Sequence, residues 1–187
     1  MIKEIKNMKI EDVKLIIPKK FSDSRGYFVE TFRESDYVRI GISGNFKQDS
    51  QSFSKRGTLR GLHFQQPPHA QGKLVRCVSG AIMDIAVDVR KNSPTFGEYV
   101  SAELSGRNMN ILWIPEGFAH GFIALKNSVV LYKATSEYHR ESESGLLWND
   151  ETVGIIYPEI RMIISEKDKS WHNLETFVTE FEYGVNS

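Results

Sequence analysis

Arg60 and His63 fall within one ten-residue stretch, Arg56-Gly57-Thr58-Leu59-Arg60-Gly61-Leu62-His63-Phe64-Gln65, that reads as a β-strand. A histidine set among arginines suits an anionic substrate that must lose a proton. Guanidinium forks hold phosphate oxygens in two-point contacts, and a neutral imidazole near pH 7 can take the proton. The plain alternative is a surface strand with solvated arginines and a half-buried histidine. More polar residues of this kind recur along the chain. Lys73 opens a strand straight after Gly72 and precedes apolar Leu74-Val75, so its ammonium is either a strand-edge solubility device or an electrophile. Tyr132 shares a strand face with Val130 and Ala134, as an ordinary core tyrosine or as a phenol placed to exchange a proton in a dry cavity. Arg60, Lys73 and Tyr132 can all point into one barrel mouth.

The elements that must hold these residues are mostly strands. Tyr27 to Phe32 alternates, with Phe28, Glu30 and Phe32 on one face, and Asp23-Ser24-Arg25-Gly26 precedes it as a turn. Leu74–Val78 and Ala81–Val89 flank Ser79-Gly80, which predicts a hairpin. In its second arm Met83, Ile85, Val87 and Val89 point one way and Asp84 and Asp88 the other. Ile111–Ile114 is a short buried strand stopped by Pro115. Phe118–Leu125 and Val129–Thr135 around Lys126-Asn127-Ser128 read as a second hairpin. Short helices are expected at Glu34–Ile40, ended by Gly41, and at Glu166–Ser170. Many short strands with polar turns argue for a sandwich or barrel. The polar ends at 1–9 and 180–187 read as swapped strands or loose ends.

Bulk composition narrows the function. At 187 residues the chain is expected to form one domain, 1–187, able to close a core. Lys plus Arg equals Asp plus Glu at 24 each, so no nucleic-acid or membrane partner is expected and any positive site must be local. The single cysteine, Cys77, rules out an internal disulfide and a Cys-built zinc site. Set in an apolar strand, it reads as a buried, inert thiol. The N-terminal segment carries no apolar run fit for a signal peptide, and no run approaches the ~20 apolar residues that spanning requires. A soluble, cytoplasmic protein is the expectation.

Two histidines in a β-barrel raise the question of metal. Pro115-Glu116-Gly117-Phe118-Ala119-His120 resembles the second histidine motif of the cupin superfamily. The first cupin motif supplies two histidines one residue apart and then a glutamate. Here His63-Phe64-Gln65 puts glutamine at the second position, and no glutamate lies between residues 64 and 97. Two imidazoles without a carboxylate, near Lys73, make a poor divalent site. The barrel is therefore read as metal-free and cofactor-free. His69, in the Pro67-Pro68-His69 loop, His139 and His172 read as solvent-facing.

Eight segments in register then carry a more specific resemblance. They are Asp23-Ser24-Arg25-Gly26-Tyr27-Phe28; Gln48-Asp49-Ser50; Leu59-Arg60-Gly61-Leu62-His63-Phe64-Gln65; Gln71-Gly72-Lys73-Leu74-Val75; Ile114 to Phe122; Tyr132-Lys133; Trp148-Asn149-Asp150; and Ser165-Glu166-Lys167-Asp168. Between about residues 15 and 170 the chain resembles the dTDP-4-dehydrorhamnose 3,5-epimerase family, metal-free cupin enzymes of deoxysugar nucleotide biosynthesis.

The resemblance implies an all-β cupin-type sandwich or jelly-roll barrel with a few short peripheral helices, assembled as a homodimer. It implies a dTDP-4-keto-6-deoxyhexose substrate, epimerised at C3 and C5 through an enolate. In that reading His63 is the base and Asp168 fixes its tautomer. Lys73 stabilises the enolate, and Tyr132 returns a proton to the opposite face. Arg25, Arg60 and Lys167 would meet the diphosphate, and Gln48, Asp49 and Ser50 the nucleotide base or sugar. Glu30, His120 and Glu143 resemble substrate-binding positions, Tyr138 would line the sugar pocket, and Tyr27 or Phe28 would stack on the pyrimidine. The family usually has asparagine where Ser50 stands, so this chain offers base recognition a shorter hydroxyl in place of an amide. The rival expectations are an epimerase acting at one carbon, a sugar-nucleotide-binding cupin without catalysis, and a metal-dependent cupin, which Gln65 and the missing glutamate disfavour.

Overall fold

The computed structural model describes residues 1–42 and 45–184. The strands are β1 (Ile2–Asn7), β2 (Lys14–Pro18), β3 (Lys20–Asp23), β4 (Gly26–Val29) and β5 (Gln48–Ser54), then β6 (Thr58–Gln65), β7 (Lys73–Ser79), β8 (Ala81–Asp88) and β9 (Tyr99–Ser105). They continue as β10 (Ile111–Ile114), β11 (Phe118–Ala124), β12 (Ser128–Ala134), β13 (Glu143–Gly145) and β14 (Ile163–Ile164). The helices are α1 (Glu34–Val38) and α2 (Glu166–Lys169), close to where they were expected.

Two sheets face each other. One runs β1-β2-β10-β7-β12-β5 and the other β13-β6-β11-β8-β9, with β14 lying parallel to β6. Alternation within each strand decides what lies between them. Val75, Cys77, Leu112, Ile114 and Val130 from the first sheet meet Ile82, Ala86, Leu104, Phe118 and Phe122 from the second. Cys77 is a buried free thiol, as its neighbours implied. Both sheets are also covered outside. Ile85, Val87 and Ala119 pack under Phe181 and Leu174 from the C-terminal segment, while Leu74, Ile111 and Trp113 pack under Tyr37 and Phe46. Each buried Val, Leu, Ile or Phe among them contributes about 1.5–3 kcal/mol relative to leaving it in water. At the chain's start β1 pairs with β2 at a sheet edge; of the 180–187 end, residues 185–187 lie outside the described ones.

Both expected hairpins are something else. β7 and β8 belong to different sheets, as do β11 and β12. Ser79-Gly80 and Lys126-Asn127-Ser128 are corners at which the chain changes sheet. Ala81 finds its partners across the other corner: its carbonyl accepts from Leu125 N at 2.8 Å, and its N–H donates to Ser128 Oγ at 3.0 Å. The corners touch, and a Cβ at Gly80 (φ +80°) would stand 2.2 Å from the Asn127 carbonyl oxygen. Turn residues fix a reversal of direction but not the strand that receives the hydrogen bonds. Here β8 and β11 are buried on both faces, which makes the inter-sheet crossing the better packed outcome.

A bulge in β6 sets up the site. Strict alternation puts residues three apart on opposite faces, yet Arg60 and His63 line the same cavity. The β6–β11 register shifts between His120, which faces His63, and Phe122, which faces Arg60. Gly61 makes room for it with φ +138°, and a Cβ there would lie 2.5 Å from Gly121 Cα. Gly61→Ala is accordingly expected to lower stability by about 1–3 kcal/mol and to cut turnover by displacing His63. Thermal unfolding and a rate assay on the variant check both.

Candidate active site

A cavity of about 400 Å³ opens at one end of the sandwich. It gathers Gln48, Arg60, His63, Lys73, His120, Tyr132, Glu143, Lys167 and Asp168 from seven different elements and Tyr138 from the loop after β12. His63 and Lys73 come from strands of opposing sheets, so the two walls present different chemistry to whatever sits between them.

His63 Nε2 lies 2.6 Å from Asp168 Oδ1, and Asp168 is only 4 % exposed. The aspartate is delivered by α2, whose N-cap Ser165 accepts from Asp168 N, and α2 in turn follows β14 along β6. Burial opposes the charge on Asp168, but the hydrogen bond and charge of His63 outweigh it and hold the carboxyl below its ordinary value. With Nε2–H donating to that carboxylate, Nδ1 is the basic nitrogen and has no protein hydrogen bond among the described residues. Trp171 backs the pair: its ring lies 6.0 Å from that of His63 and packs against Gly145.

Lys73 is buried, with one long hydrogen bond from its ammonium to the His63 carbonyl at 3.4 Å. Burial pulls its pKa down to about 8, opposed by the charges of Asp84 and Glu143. It remains an ammonium at pH 7 and is only partly neutralised, which equips it to face a developing oxyanion. Arg60 donates to Ser54 Oγ and the Phe53 carbonyl and has no carboxylate partner among the described residues. Lys167 binds Glu143 at 2.6 Å, and the Tyr138 hydroxyl donates to the other oxygen of Glu143 at 2.7 Å. Tyr132 packs against the inter-sheet core while also lining the cavity.

The remaining expected residues stand elsewhere within one chain. Asp49 is on the outer face of β5, bonded to Lys133 at 2.8 Å, because consecutive strand residues face opposite sides. Ser50 borders a second hollow of about 340 Å³, which Asp49 and Tyr132 also line, and accepts a hydrogen bond from Gln48 Nε2 at 2.9 Å. Arg25 is bound to Asp23 in the turn of the β3–β4 hairpin, and Tyr27 and Phe28 beside it are 59 % and 65 % exposed. Glu30 is held by the N-terminal ammonium and Arg33. His69 and His139 stack their rings at 3.7 Å, with the His139 side chain still 41 % exposed.

Two residues of this site were not singled out as part of it. Gln65, in the place of a cupin metal ligand, donates to the His69 and Glu137 carbonyls and accepts from His139 N, so it anchors the lip that carries Tyr138. Asp84 is wholly buried and binds His120 Nε2 at 2.8 Å. Its signal was present in the sequence: an acid whose i±2 neighbours, Ile82 and Ala86, are apolar stands on a core face. Among the described residues, no three of the His, Cys, Asp and Glu side chains converge so as to hold a metal ion. No helix is long and apolar enough to cross a membrane.

Residues 7–176 match the family model of dTDP-4-dehydrorhamnose 3,5-epimerase. The enzyme of that name from Sinorhizobium fredii is 49 % identical over 180 residues, covering 95 % of this chain and 92 % of that protein. The crystal structure of the Legionella pneumophila 3,5-epimerase in complex with dTDP-4-keto-L-rhamnose superposes with a TM-score of 0.93 at 41 % identity, over 97 % of this chain and 99 % of the other. A 3'-monoepimerase from Streptomyces bikiniensis, in complex with dTDP-quinovose, gives 0.84 at 31 % identity, over 90 % and 86 %.

Proposed function

The chain belongs to the dTDP-4-dehydrorhamnose 3,5-epimerase family and is an isomerase, and from that premise we propose how its own residues carry out the reaction. The substrate is dTDP-4-dehydro-6-deoxy-D-glucose and the product dTDP-4-dehydro-L-rhamnose, in dTDP-L-rhamnose biosynthesis. His63 Nδ1 takes the proton from the carbon beside the ketone, and Asp168 stabilises the imidazolium that results. The electron pair moves onto the keto oxygen, where Lys73 meets it. Tyr132 delivers a proton to the opposite ring face as the electron pair returns to that carbon, which inverts the centre; once His63 has given its proton to solvent and the Tyr132 phenolate has regained one, the cycle run at C3 is repeated at C5. Arg60 and Lys167 hold the diphosphate, the latter by loosening its bond to Glu143. The observation that supports this most is the convergence on one cavity of a histidine–carboxylate pair, a buried ammonium and a phenol from different walls.

Heavy water tests it. Incubated with dTDP-4-dehydro-6-deoxyglucose in deuterium oxide, the protein should place label at both C3 and C5, equally with and without a chelator. Label at a single carbon would establish instead a one-site epimerase, the reading that likeness to the Streptomyces bikiniensis monoepimerase favours. No label would overturn the assignment, and label that needs metal would overturn the metal-free mechanism.

Arg25, Tyr27, Phe28 and Glu30 can serve this site only from a second copy, because their own chain carries them away from its cavity. We infer a cytoplasmic homodimer in which each β3–β4 hairpin, with its exposed aromatic pair, reaches the partner's nucleotide. Light scattering should give twice the chain mass, and Phe28→Asp should weaken both dimerisation and dTDP binding. A fully active monomer would rule out the shared site.

A further inference from the structure

Asp84 has no role in the mechanism above, yet it is the most deeply buried acid bordering the machinery. It lies in β8 at 0 % exposure, and its Oδ1 binds His120 Nε2 at 2.8 Å. Its Oδ2 is buried and has no hydrogen-bond partner among the described residues. An unpaired buried carboxylate oxygen is costly, so native structures rarely keep one without a reason. The complementary oddity is Lys73, which has three N–H donors and, among the described residues, a single long hydrogen bond. Of the charges acting on Lys73, Asp84 is the strongest favourable one, ahead of Glu143.

We propose that Asp84 is a positioning residue: a buried counter-charge that keeps Lys73 an ammonium and, by accepting from His120 Nε2–H, leaves His120 Nδ1 as an acceptor. The inference deepens the epimerase reading and rests on it for what Lys73 stabilises. Burial pushes the carboxyl up and the ammonium down; the charges of His120 and Lys73 and the His120 hydrogen bond oppose the first, and the charge of Asp84 opposes the second. The other charged or titratable groups around Lys73 leave this task to Asp84. Glu143 from β13 is already shared between Lys167 and Tyr138, and Asp168 from α2 is taken by His63. Arg60 and His63 from β6, Lys167 from α2 and His120 from β11 add positive charge or none, and Tyr132 from β12 is a neutral phenol.

The test is the titration of Lys73 in protein labelled with 13Cε-lysine, its signal assigned by loss in Lys73→Arg. In the unaltered protein the midpoint should lie at about 8. In Asp84→Asn, which keeps the shape and still accepts from His120, it should fall by about one pH unit or more. The alkaline limb of the deuterium-exchange rate should fall with it. A role in packing alone would lower the melting temperature and the rate at every pH without moving the midpoint, and that result in a folded variant overturns the proposal. If Asp84→Asn does not fold, the 13Cγ signal of Asp84 in the unaltered protein decides. It should show a carboxylate at pH 7 and a second step at the lysine midpoint, since coupled groups report each other's titration; a protonated Asp84 at pH 7 sinks the idea. Failure of the unaltered protein to label the sugar would sink the epimerase reading instead, while the titrations would still decide the Asp84–Lys73 coupling.

Discussion

His63→Ala is expected to lower turnover by about 10²–10⁴-fold, the usual worth of a positioned base, while dTDP binding changes by no more than a few-fold. The two effects separate because the residues that would hold the nucleotide are anchored independently of the imidazole. Arg60 is tied to Ser54 and Phe53, Lys167 to Glu143, and Gln48 to Ser50 and Tyr138 N. What His63 alone supplies is a basic nitrogen whose conjugate acid is stabilised by Asp168 at 2.6 Å. Deuterium should vanish from both C3 and C5 together, since one base serves both carbons. Asp168→Asn should fall between the variant and the parent, because the imidazole remains but its charged partner is lost. Calorimetry with dTDP beside a rate measurement on the same samples checks the separation. A variant that still exchanges at the parental rate would remove His63 as the base.

How far this site was readable from sequence depended on which physical rule placed each residue. Alternation sufficed where strands were long and two-faced: it put Asp84 and Asp88 opposite Met83, Ile85 and Val87, and β8 bears that out. The same rule, applied to Gln48-Asp49-Ser50, turns Asp49 toward Lys133, yet Asp49 and Ser50 still line one hollow at the strand's edge. Alternation failed at Gly61, where a bulge that leaves no periodic trace turns Arg60 and His63 to one face. Local turn chemistry gave the corners at Gly80 and Asn127 but not the bonds that join them, which run from Ala81 to Leu125 and Ser128, about 45 residues away. The pairing of His63 with Asp168, 105 residues apart, entered only through resemblance to a family; no periodicity spans that gap. The β3–β4 hairpin is the instructive remainder: its motif is clear in the sequence, yet Tyr27 and Phe28 stay 59 % and 65 % exposed and Arg25 is bound to Asp23.

Tyr132→Phe separates the two halves of the reaction that His63→Ala abolishes together. The phenol belongs to β12 in the first sheet, while His63 belongs to β6 in the second, so a sugar between the sheets has the base on one side and the hydroxyl on the other. Removing the hydroxyl leaves His63, Asp168 and Lys73 intact, and the ring still packs on the core, so folding should be nearly unaffected. The proton should still leave and, with no acid opposite, return from the face it left. Deuterium should thus continue to enter the sugar while inversion, trapped by a downstream reductase, falls by about 10²–10⁴-fold. The ratio of exchange to inversion is the decisive quantity, because a general loss of binding or stability would lower both in step. Loss of exchange along with inversion would show that Tyr132 is needed for the enolate itself. Preserved inversion would mean that the second proton comes from another donor in the cavity, with the Tyr138 hydroxyl, held by Glu143 at the same mouth, the first to replace.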